Sequence, residues 1–107
     1  MDLERYLQAV RDAAEEWAQA KSNLVFLEHY RRALLAKLMK DSGEKSAAAQ
    51  ERDALASEMY GAHLEALKEA VKEEAVMHWT LKRAEMKVEL WRTQQATARL
   101  ERKAYNA

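Results

Sequence analysis

Residues Tyr60 to Tyr105, YGAHLEALKEAVKEEAVMHWTLKRAEMKVELWRTQQATARLERKAY, decide the fold. Leu67, Ala70, Glu74, Met77, Leu81, Ala84, Val88, Trp91, Gln95 and Ala98 follow one another at steps of three and four. That spacing lines up one face of a helix as a sustained heptad row. Only Glu74 and Gln95 interrupt its apolar run. At about 1.5 Å per residue the helix would be about 65 Å long. Val76, Trp79, Met86 and Leu90 form a second row on another face. A helix with two apolar faces needs more than one neighbour.

Outward from this stretch, the first forty residues repeat the pattern. Tyr6, Val10, Ala13, Trp17, Ala20, Leu24, Leu27, Arg31, Leu34 and Leu38 predict a helix from about Asp2 to Lys40, with Asp2 as its cap. Asp41 to Lys45 breaks the pattern, and Gly43 can supply a left-handed residue at the helix end. Ser46 is placed to cap a short helix to about Ala56, and Ser57 to cap the long one running to about Lys103. Gly61 weakens the first turn of that helix by about 1 kcal/mol relative to alanine. A short segment between long helices favours an antiparallel arrangement. The expected fold is therefore all-α, a single domain. It is an elongated antiparallel helical hairpin with a short helical bracket, assembled into an oligomeric coiled-coil-like bundle.

Composition narrows the function classes. The 107 residues carry 18 basic and 18 acidic side chains, no cysteine and no proline. A neutral balance points to no partner by itself, so any nucleic-acid reading rests on local asymmetry. Disulfide and thiol chemistry are excluded. The start, Met1 to Arg5, lacks a signal-peptide pattern, and no apolar run approaches the ~20 residues that span a bilayer. The expectation is a cytoplasmic protein with no membrane partner. Histidines stand at 29, 63 and 78. Glu74 and His78 lie one turn apart, but the Glu-x-x-His pairs of di-iron bundles are absent. So are paired zinc-helix histidines, glycine-rich phosphate loops and nucleophile elbows. No metal, cofactor or catalytic residue is expected. The protein reads as a non-enzyme.

Charge is uneven along the chain. Asp41 to Glu74 holds nine acidic and four basic residues, and Ala75 to Ala107 three acidic and seven basic. The seven are Lys82, Arg83, Lys87, Arg92, Arg99, Arg102 and Lys103, interleaved with Trp79, Trp91 and Tyr105. Cations that track phosphates, with aromatic faces nearby, are what single-stranded nucleic acid binds. The bland alternative is a solvated face that complements the helix dipole. Two long helices bury little for their length, so oligomerisation is expected. Trp17, Met77, Trp79, Leu81, Val88 and Trp91 are the candidate interface.

The segments YGAHLEAL at Tyr60–Leu67, KEAV at Lys68–Val71 and ELWRTQQA at Glu89–Ala96 resemble small all-helical proteins of tailed bacteriophages, as does AAQERDALAS at Ala48–Ser57. Those proteins are encoded near recombination functions, and they are similar in kind to recombination mediators of the UvsY type. The resemblance covers residues 24–103 and carries over no site residue. It implies a phage accessory protein in the host cytoplasm that forms a homo-oligomer. The implied partners are single-stranded DNA and a recombinase or single-strand-binding protein. The alternative is a protein-interaction module that binds no nucleic acid.

Overall fold

The computed structural model describes residues 2–106. Three helices follow in order: α1, Asp2–Asp41; α2, Ala47–Leu55; and α3, Glu58–Asn106. No strand occurs among the described residues. The fold is the expected all-α hairpin, two long helices joined by a short one. Both long helices are built from strong helix formers and contain no proline, and α3 continues through Gly61.

The connections are set by hydroxyls. Ser46 stands at φ −90°, ψ 149°, and its side chain accepts the Ala49 amide at 3.1 Å. Ser57 accepts the Tyr60 amide at 3.1 Å. Each satisfies one of the donors that a helix start leaves without a partner. Gly43 does not adopt the left-handed conformation, because none of the described residues has positive φ. Instead the Ser42 hydroxyl accepts the Glu44 amide at 3.2 Å, and Gln50 of α2 donates to the Glu44 carbonyl at 3.0 Å. The turn is held by side chains, so no special backbone is required. Asp2 lies inside the first turn of α1 with Glu4 rather than at the cap position the sequence assigned to it.

The chain divides into two compact units, one of Met1–Ala18 with Val76–Ala107 and one of Gln19–Ala75. In the second, α1 and α3 run antiparallel. The Tyr30 and His63 rings lie 5.9 Å apart, while Ala20 and Asn23 share a groove with Ala70 and Glu73. Leu34, Ala54, Tyr60 and His63 are buried here. In the first unit the Trp17 ring lies 6.1 Å from that of His78, and Ala13, Ala84 and Val88 are buried. Alanine supplies four of the eight described residues that are buried. Among the described residues no large side chain is fully enclosed.

Two polar positions of the predicted rows leave the interior. Arg31 is exposed, and Tyr30, three residues after Leu27 and four before Leu34, is half-buried in its place. Desolvating a guanidinium without a partner is costly, whereas a tyrosine can bury its ring. Gln95 is exposed too. Glu74 remains half-buried in the row.

Candidate nucleic-acid interface

The seven cations all belong to α3, and all are exposed. Helical periodicity divides them. At about 100° per residue, Arg92, Arg99 and Lys103 fall within about 40° of one another, and Arg102 stands about 60° from Arg99. Those four make one stripe, about 16 Å long from Arg92 to Lys103 at 1.5 Å per residue. Arg83 and Lys87 lie on the opposite side of the helix, and Lys82 falls between the two groups. The sequence run is thus one cluster only when written as a line.

Local partners temper the charge unevenly. Arg92 Nη1 lies 2.8 Å from Glu89 Oε1, and Lys82 Nζ lies 3.8 Å from Glu85 Oε1. Both pairs are exposed, and pairs of that kind are worth about 0.3–0.5 kcal/mol, so a phosphate can displace either carboxylate. Arg83 Nη2 donates to the Thr80 hydroxyl at 3.4 Å, and that hydroxyl donates to the Val76 carbonyl at 2.9 Å. Arg99 Nε donates to the Gln95 carbonyl at 3.5 Å, a contact along its own helix that leaves the rest of the guanidinium in water.

From Arg92 to Asn106 every residue but Ala98 is exposed. The stripe therefore sits on a stretch of helix with solvent on nearly all sides. Tyr105 is 93% exposed, but at about 100° per residue it falls on the side of Lys87, away from Arg92, Arg99 and Lys103. Trp91 is half-buried on the inward row, and Trp79 is exposed. His78 lies between two tryptophans, 6.1 Å from Trp17 and 5.6 Å from Trp79 by ring centres. Of the six candidate residues for an oligomer interface, Val88 is buried and Trp17, Met77, Leu81 and Trp91 are half-buried. Only Trp79 remains open to water.

Among the described residues, no three histidine or carboxylate side chains are grouped to hold a metal ion, and no helix is long and apolar enough to cross a membrane. A shallow groove of about 420 Å³ is lined by Ala20, Asn23, Phe26, Leu27, Glu69, Ala70 and Glu73. Its two carboxylates stand one turn apart on the same helix, with no nucleophile beside them. Comparison with protein-family models, with curated proteins and with solved structures gave no match for this chain.

Proposed function

We propose that this protein is a non-enzymatic accessory of phage DNA recombination that binds single-stranded DNA along the last turns of α3. Arg92, Arg99, Arg102 and Lys103 contact phosphates. The observation that carries this reading is the exposure of all four cations on a helix segment that packing leaves almost bare. Arg83 and Lys87 point to the other side and do not follow the same strand. A recombinase or a single-strand-binding protein is the proposed protein partner.

Anisotropy of a labelled oligonucleotide, titrated at low and moderate salt, tests the reading. Binding should fall steeply as salt rises, because each phosphate neutralised releases a counterion. Replacing Arg92, Arg99 and Arg102 together by alanine should weaken binding by about tenfold or more. It should also flatten the salt slope by roughly 0.7 for each phosphate no longer neutralised, with helicity unchanged. Replacing Arg83 and Lys87 should do far less. Unchanged binding in the triple variant sinks the assignment. A second reading, an interaction module without nucleic-acid binding, is favoured by Val76, Trp79, Met86 and Leu90, which are 46–68% exposed. Absence of binding at low salt selects it.

A further inference from the structure

The exposed apolar residues of α3 belong to a longer register. Val76, Trp79, Arg83, Met86, Leu90 and Thr93 follow at steps of three and four. They lie about 150° around the helix from the inward row of Met77, Leu81, Ala84, Val88 and Trp91, by the 100° rotation per residue. All six of the outer row are exposed. Heptad notation makes Val76, Arg83 and Leu90 a positions and Trp79, Met86 and Thr93 d positions. Four of the six are large and apolar, and an exposed row of that kind marks an interaction surface, while Arg83 can lay its stem along the seam and keep its guanidinium in water. The thin, alanine-rich interior adds a reason for further burial, since small chains with limited cores rely on association.

The flanking charges identify the occupant. We infer that this face pairs with the same face of a second copy, antiparallel, about a two-fold axis between Ala84 and Glu85. In that register Trp79 meets the second copy's Leu90, Val76 meets Thr93, and Arg83 meets Met86. Antiparallel pairs set g against g and e against e. Lys82 and Glu89 are both g residues, so each faces the other across the seam, twice by symmetry. Opposite charges at these positions set orientation and register. Other arrangements of the same faces bring like charges together. A parallel pair puts Arg83 against Arg83 in the seam and Lys82 against Lys87. An antiparallel pair shifted towards the C-terminus puts Glu89 against Glu89 and Lys87 against Lys87. One shifted the other way puts Lys82 against Lys82. The sequence is self-complementary in one register.

This pairing does not depend on DNA, and salt separates the two. Across residues 76–93, Lys82, Arg83, Lys87 and Arg92 outnumber Glu85 and Glu89, a net charge of +2 per copy. Arg83 and Lys87 of both copies also gather along one edge of the pair. Screening within about 8 Å at physiological salt relieves this repulsion, while apolar burial is retained. Pairing should tighten as salt rises, whereas DNA binding should weaken.

Sedimentation equilibrium of the full chain at physiological salt reads the outcome directly, with circular dichroism to verify helicity. The whole chain should form a dimer in the micromolar range without DNA. Met86→Lys should raise the dissociation constant by about tenfold or more, the equivalent of ~1.4 kcal/mol. Lys82→Glu and Glu89→Lys should each weaken the dimer several-fold, by roughly the few tenths to one kcal/mol of an exposed pair at each of two symmetric sites. The double variant Lys82→Glu with Glu89→Lys should regain most of that loss. The Arg92, Arg99 and Arg102 triple variant should dimerise at least as tightly as the parent, since losing Arg92 lowers the repulsion between copies, so failure of the DNA reading leaves this one standing. A monomer at tens of micromolar, a dimer indifferent to Met86→Lys, or no recovery in the double swap would overturn the proposal.

Discussion

His63 is the residue whose environment fits its chemistry least well. It is 7% exposed, its Nε2 has no hydrogen-bond partner among the described residues, and its ring lies 5.9 Å from that of Tyr30. A buried polar atom left without a partner costs about 1–3 kcal/mol, while a leucine of similar volume has no such demand. His63→Leu should therefore raise stability by about 1 kcal/mol, checked as a higher midpoint in thermal unfolding. The apolar pattern of the sequence does not mark this position. His63 and Tyr60 extend the row from Leu67 by the same steps of four and three, but a histidine does not register as apolar in a pattern count, so the row reads as starting at Leu67. Arg31 shows the opposite case, where the spacing is right and the side chain is wrong. The chain resolves it by turning Tyr30 inward. In both places the period is legible, and which of two neighbours fills a position depends on desolvation, which a period does not encode.

At the scale of elements, the short helix α2 depends on its ends. Nine residues from Ala47 to Leu55 are fewer than the ~12–15 that make an isolated helix even marginal in water. Its cap and the burial of Ala54 at 2% exposure therefore carry it. Ser46→Ala should destabilise the protein by about 1 kcal/mol, and Ser57→Ala by a similar amount at the start of α3, measured by urea denaturation. Both serines can be read from the sequence, because a hydroxyl before a run of helix formers has a local meaning. The turn at Gly43 cannot, since it is closed by Ser42 and by Gln50 from the next helix. On α3 the two apolar faces are legible from period alone. Which of them faces α1 is not. Trp17, Met77, Leu81, Val88 and Trp91 read in the sequence as a candidate interface between copies, and each is at least half-buried within the single chain. A sequence pattern states that a face must be covered and does not say by which molecule. The basic run is likewise visible as a composition shift, but its division into a terminal stripe and an opposite pair emerges only when the residues are wound on a helix.

For the molecule as a whole, two surfaces of opposite salt response follow from one helix. The stripe from Arg92 to Lys103 should hold a polyanion best at low ionic strength, and the row from Val76 to Thr93 should hold a second copy best at higher ionic strength. Measuring both on the same preparation tests them as separate properties. The hairpin topology also sets an order of events in time. Tyr30 and His63, close to the α2 bracket, are about 30 residues apart along the chain, and Trp17 and His78 about 60. Closing the longer loop first costs about 0.5 kcal/mol more in chain entropy, and bringing the nearer pair together first avoids it. Contacts beside α2 thus form the natural folding nucleus, and the more distant contacts are added as a zipper closes. Leu34→Ala should then chiefly slow folding, and Val88→Ala should chiefly speed unfolding, in stopped-flow kinetics. The contact with the longer loop, that of Trp17 with His78, should then be the last to form and the first to come apart.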